Sequence, residues 1–99
     1  MHPLEICWIW NDLKAIENLR KHKVSFELAV QALEDPGQLS QLDLDSDEYR
    51  FKTLARIEDV ILVVIHTEPE PERYSGQLIG RIISARKAKP AERRAYSNG

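Results

Sequence analysis

A chain of 99 residues, 42% apolar and 30% charged, commits its apolar surface to one core and lies well away from the composition of disordered segments. Its longest apolar run, Val60 to Ile65, is far short of the ~20 residues of a membrane-spanning helix, and a single cysteine leaves no internal disulfide and no cysteine-based zinc site. The net charge of −2 hides a segregation: residues 1–77 hold eight basic and fifteen acidic side chains, a net −7, whereas residues 78–99 hold six and one, a net +5.

These features predict one domain over residues 1–99. Cytoplasmic placement is expected, because the first ten residues show neither a basic region ahead of the apolar part nor a small-residue cleavage site. A pI near 5.9 argues against nonspecific coating of nucleic acid, although the basic C-terminal quarter permits one anion-binding face. His2, near the terminus, is given no role.

Residues 4–10, LEICWIW, are dense in β-branched and aromatic side chains and predict a first strand, with Cys7 a buried, inert thiol. Asn11 or Asp12 can cap a helix over about 12–22, whose Leu13, Ile16 and Leu19 form a narrow apolar stripe. Arg20, Lys21 and His22 sit in its last turn, against the negative end of the helix dipole. Ser25 caps a second helix with Phe26, Ala29, Val30 and Leu33 as its buried face, and Asp35-Pro36-Gly37 ends it.

From residue 39 the pattern changes to strands. Leu39 to Asp43 is a weak one, followed by an acidic turn at 45–48. Residues 49–56 alternate, with Arg50, Lys52, Leu54 and Arg56 on one face and Tyr49, Phe51, Thr53 and Ala55 on the other. Residues 60–67 read as a central strand buried on both faces, and 68–77 as a mobile acidic loop. A last strand runs over 78–86, and Pro90 opens a closing helix. The order predicts an α+β fold: an antiparallel β-sheet with two N-terminal helices and one C-terminal helix, packed on one face of it.

No phosphate-binding glycine loop, zinc-protease helix or serine-hydrolase elbow is present. What remains is a constellation of Lys21 and His22, of Arg50, Lys52 and Arg56, of His66, and of Arg81 and Arg86. Cleavage of RNA by its own 2′-hydroxyl needs cations against the developing phosphorane charge and groups that move protons, which arginine and histidine supply. Each member also has a structural role open to it. His66 suits a hydrogen-bonded core position, Arg50, Lys52 and Arg56 the solvated face of an edge strand, and Lys89, Arg93 and Arg94 an exposed helix face. By strand parity Arg81 and Arg86 point to opposite faces unless a bulge intervenes.

Trp10-Asn11-Asp12-Leu13-Lys14, the block from Asn18 to Glu27, Asp35-Pro36, Arg50-Phe51, Val64-Ile65-His66-Thr67, the block from Arg81 to Arg86, Glu92-Arg93 and Tyr96 together resemble the BrnT family of type II toxins. The resemblance covers nearly the whole chain. It implies a small RelE-like ribonuclease that cuts RNA without a metal or other cofactor and inhibits translation. It further implies a BrnA-type ribbon-helix-helix antitoxin as partner, through which the complex binds operator DNA. Carried onto matching positions, Lys21, His22, Arg50, Arg56 and Arg86 are the expected functional residues; of these His22, Arg50, Arg56 and Arg86 are expected to be catalytic, and Lys21, together with the neighbouring cations Lys52, Arg81 and Lys87, to contact RNA. The chain departs from the family pattern at Asn11, at Lys23 and Ala55, where glycine is usual, at Tyr49 and at Lys89. Those departures leave a second expectation open, a weakened toxin that acts through its partner and operon regulation.

Overall fold

The computed structural model describes residues 5–99; Leu4, expected in the first strand, and His2 lie outside the described residues. The elements are β1 (Ile6–Ile9), α1 (Asp12–His22), α2 (Phe26–Ala32), β2 (Leu39–Leu42), β3 (Phe51–Ile57), β4 (Val60–His66), β5 (Glu70–Pro71), β6 (Leu78–Lys87) and α3 (Pro90–Asn98). Their order is the expected α+β one, with β5 added. The sheet runs β1-β6-β4-β3-β2, and β5 also pairs with β6.

The sheet is mixed and not antiparallel. β1 lies parallel to β6, with Ile6 opposite Leu78 and Ile9 opposite Arg81. Parallel neighbours need a long crossover, and here the crossover is most of the protein. Local alternation shows that residues 6–9 form a strand but carries no information about the direction of a partner so far along the chain.

The helices also occupy both faces, where one was expected. α1 and α2 cover the face that carries Thr53 and Ala55 of β3, Leu62 and Val64 of β4, and Ile82 and Ala85 of β6; Phe26, Ala29 and Ala32 of α2 fill that core. β4 is central, and its Val63 is buried on the opposite side, as a strand covered twice must be. α3 supplies that second cover: Ala91, Glu92 and Ala95 sit over Leu39 and Leu54 around a gap of about 260 Å³. Its far end is tied down where the Tyr96 hydroxyl donates to Asp35 Oδ2 at 2.5 Å. The same carboxylate oxygen accepts the Arg56 backbone N–H at 2.8 Å.

On α1 the apolar stripe faces outward. Leu13, Ile16 and Leu19 are 77%, 66% and 50% exposed, and the buried side instead carries Ala15 and Asn18. Asn18 explains the inversion. Among the described residues, the edge of β6 away from β4 has no strand beside it beyond Arg81, because β1 pairs only with residues 78–81. The Asn18 side-chain amide fills that open edge: it donates to the Ala85 carbonyl at 2.8 Å and accepts the Ala85 N–H at 3.2 Å, as a neighbouring strand would. It also donates to the Val24 carbonyl at 2.9 Å, fixing the turn into α2. A buried face that must satisfy a strand edge selects an amide over a leucine.

Two smaller expectations are also corrected. Cys7 is exposed, because the inward position of β1 belongs to Trp8, whose ring lies over Gly80 where any Cβ would collide with it. The stretch 68–77 is not wholly loop: β5 pairs with Leu78 and Ile79, and the Glu72 carboxylate accepts from the Tyr74 and Ser75 N–H groups. The caps fall as the sequence predicts, with Asn11 accepting from the Lys14 N–H at 3.1 Å and Ser25 from the Leu28 N–H at 3.0 Å. Lys23 ends α1 in the left-handed region at φ 61°.

Candidate functional site

The alternation of β3 sets Lys52, Leu54 and Arg56 on the α3 face, with Arg50 just ahead of the strand on the same side. Whether β6 adds to that group turns on its register. Arg86 pairs with Val63 and Ser84 with Ile65, but the next pair is Ile82 with His66, so Ile83 is an extra residue. This is the bulge on which the parity of Arg81 and Arg86 depends. Beyond it the Thr67 N–H donates to the Arg81 carbonyl at 3.0 Å. Val63 and Thr67 share a face of β4, and so Arg86 and Arg81 share it too, four β4 positions or ~13 Å apart.

The α3 face therefore collects Arg50, Lys52, Arg56, Arg81 and Arg86. Four of them meet a carboxylate. Arg50 Nε donates to Asp43 Oδ2 at 3.0 Å, and Arg81 lies 3.9 Å from Glu48. Arg50 and Arg81 line one cavity of about 510 Å³, with Asn11, Lys14 and Glu48 on its walls. Arg86 makes a bidentate pair with Glu92 at 2.8 Å on both oxygens, and Lys52 Nζ joins the same carboxylate at 3.1 Å. The Arg86 bonds, then the Lys89 N–H and Lys52, hold the Glu92 carboxyl far below the usual carboxylate range. In return, the bond to Glu92 raises the Arg86 guanidinium above its ordinary value. Arg56 is exposed at the far end of β3, anchored through its backbone to Asp35.

The other expected site residues lie elsewhere. Lys21 is exposed and His22 half-buried at the end of α1, and Lys87, paired with Leu62, points to the α1/α2 face. The sheet thus separates Lys21, His22 and Lys87 from the five on the α3 face. Only Arg81, Arg86 and Lys87 belong to β6, and Asn18 fastens α1 to its open edge at Ala85.

His66 takes the structural role open to it. It is 6% exposed, set edge-on to Trp8 at 5.1 Å and stacked with Phe51 at 6.3 Å. The Thr67 carbonyl only accepts, so Nδ1 carries the proton at 2.8 Å from it, and Nε2 accepts from the Thr53 hydroxyl at 2.6 Å. Thr53 in turn accepts from Ser40 at 2.8 Å, which ties edge strand β2 into the sheet. Burial holds this imidazole below its ordinary pKa and outweighs the Thr67 carbonyl, so His66 stays neutral.

Sequence reasoning missed Glu92 and Asn18 as site-building residues. Glu92 was detectable as the lone acid in a +5 segment; for Asn18 the outward leucines were a false guide. No curated protein matches the chain. A family model described as ribonuclease toxin, BrnT, of type II toxin-antitoxin system matches residues 10–92, a span that takes in the bulge, the cations of the α3 face and Glu92. The match extends over most of the chain, which therefore belongs to the BrnT family of ribonuclease toxins of type II toxin–antitoxin systems.

Proposed function

We propose that this protein is a metal-independent endoribonuclease of RelE-like type that cleaves RNA on its α3 face and so inhibits translation. The observation that carries the reading is the bulge at Ile83, which sets Arg81 on the same side as Arg86, on the face that bears Arg50 and Lys52. In the reaction the 2′-hydroxyl gives its proton to a general base and attacks the adjacent phosphorus; the P–O5′ bond breaks, the departing 5′-oxygen takes a proton from a general acid, and a 2′,3′-cyclic phosphate remains. Arg86 and Lys52 donate to the non-bridging oxygens as charge builds on them, which is worth most where solvent is partly excluded. Arg50 and Arg81, along the same face, hold flanking phosphates. Arg56 stands at the far end of that face. His22 and Lys21 at the end of α1, with Lys87 on the α1/α2 face, are assigned from the family pattern and lie across the sheet from these cations.

A type II toxin has a protein antitoxin, and we assign a BrnA-type ribbon-helix-helix protein to that role, with operator DNA bound through it. The protein would act in the cytoplasm; no helix among the described residues is long and apolar enough to cross a membrane. A second reading, a weakened toxin that serves as a binding module, is favoured by one observation: Arg50, Lys52, Arg81 and Arg86 each meet a carboxylate of the same chain.

Cleavage of diverse RNAs by purified protein at low salt separates the two. Arg86→Ala should lower the rate on the order of 100-fold or more, as loss of a preorganised donor does, with folding verified by circular dichroism. Arg86→Lys should not restore it, since a point charge cannot replace a planar fork. RNA left uncut by the wild-type protein, yet bound with steep salt dependence, would transfer the assignment to the binding module.

A further inference from the structure

We propose that Glu92 is a positioning residue of the ribonuclease face: it pins Arg86 and Lys52 so that their remaining donors converge on one phosphodiester. The inference rests on the ribonuclease reading above and extends it to a residue that reading does not use.

The carboxylate is itself fixed. Glu92 lies in the first turn of α3, and its Oε1 accepts the Lys89 N–H at 2.8 Å, closing the helix start over it. Oε1 also accepts from Arg86 Nη1 and Oε2 from Nη2, both at 2.8 Å, while Lys52 Nζ lies 3.1 Å from Oε2. Two cations from two different strands are thus referred to one rigid point on a helix.

A guanidinium has five N–H donors in a planar fork. Glu92 takes the end-on pair, and the second Nη1 donor goes to the Lys87 carbonyl at 3.3 Å. The Nε–H and one Nη2–H remain, and these form the side-on edge, a second bidentate face for an oxyanion. Lys52 keeps two of its three donors. A carboxylate that merely blocked a phosphate site would consume the donors the phosphate needs. Glu92 leaves one complete fork open and takes away the rotamer freedom of the side chains that bear it.

The test uses Glu92→Gln, which keeps the shape of the side chain and its acceptor for the Lys89 N–H but cannot accept the Arg86 fork on both arms. We expect kcat to fall about 10- to 100-fold, the scale of a misplaced catalytic group. KM should stay the same or fall, because the face gains one net positive charge. A rise in kcat/KM would overturn the proposal and make Glu92 a blocking group. A loss of activity that only tracks the fraction unfolded would overturn it in favour of a purely structural helix cap.

Failure of the ribonuclease reading is seen separately, as absence of cleavage by the wild-type protein. In that event the pinning is read from affinity for an uncleavable 2′-O-methyl RNA. Arg86→Ala should weaken binding at least 5-fold in the wild type and less than 2-fold in the Glu92→Gln background. Equal losses in both would refute it.

Discussion

Replacing Asn18 with alanine tests the account of the sheet edge directly. The side chain is 7% exposed and makes three hydrogen bonds, to the Val24 carbonyl and to both backbone groups of Ala85. Each is worth about 1 kcal/mol net, and a buried N–H left without a partner adds about 1–3 kcal/mol. The truncation should therefore cost about 4–6 kcal/mol, a large part of the 5–15 kcal/mol typical of a domain. At an unfolding entropy of about 0.2 kcal/mol per kelvin for a chain of this size, the lower figure already lowers Tm by about 20 °C. Asn18→Asp should be worse at neutral pH, since a carboxylate cannot donate to the two carbonyls and would place a charge beside them. Chemical unfolding in urea, with the midpoint and slope both measured, gives the difference. A loss below about 1 kcal/mol would show that water or another side chain satisfies Ala85, and the picture of one amide standing in for a strand would fail.

Three further expectations follow from the same packing. Leu13→Ser and Ile16→Ser should change stability by no more than about 0.5 kcal/mol in urea unfolding, because both side chains are already largely exposed; a loss near 2 kcal/mol would restore the inward stripe. Lys23→Gly should stabilise the protein by about 1 kcal/mol, since a lysine at φ 61° carries the left-handed penalty that glycine avoids. No gain in urea midpoint would mean that the lysine side chain offsets its own strain. For His66, burial holds the folded pKa below the unfolded value of 6.5, so the unfolded chain binds the extra proton first. Stability should decline as pH falls below about 6.5, and His66→Phe should flatten that slope in urea midpoints taken between pH 8 and pH 5; an unchanged slope would place the titration elsewhere.

Much of the fold is visible in local patterns, and where the patterns fail there is a common cause. Ser25, Pro36 and Pro90 mark helix ends that their own backbone chemistry dictates, and the run from Val60 to Ile65 identifies the twice-covered strand without reference to anything else. The parallel pairing of β1, the split of helices between two faces and the inward Asn18 all depend on a partner distant in sequence. For the candidate site the same division holds. Arg50, Lys52 and Arg56 share a face by simple alternation, but Arg81 and Arg86 depend on one extra residue in a ten-residue strand, and a bulge leaves no mark in Arg-Ile-Ile-Ser-Ala-Arg. Glu92 gains its place only when β6 and β3 bring two cations to it.

The placement of β6 between β1 and β4 also sets an order of events during synthesis. Ile6 and Leu78 are partners separated by about seventy positions, so the earliest strand waits for one of the latest, and such non-local pairing forms slowly. The cations at 50 and 52 are made long before Arg81 and Arg86, and the carboxylate that joins two of them comes at residue 92. A nascent chain at the ribosome thus carries three of the five cations of the basic face without the strand, the bulge or the helix that organise it. The face exists only once translation has passed residue 92, so the proposed ribonuclease activity would be absent from the unfinished chain.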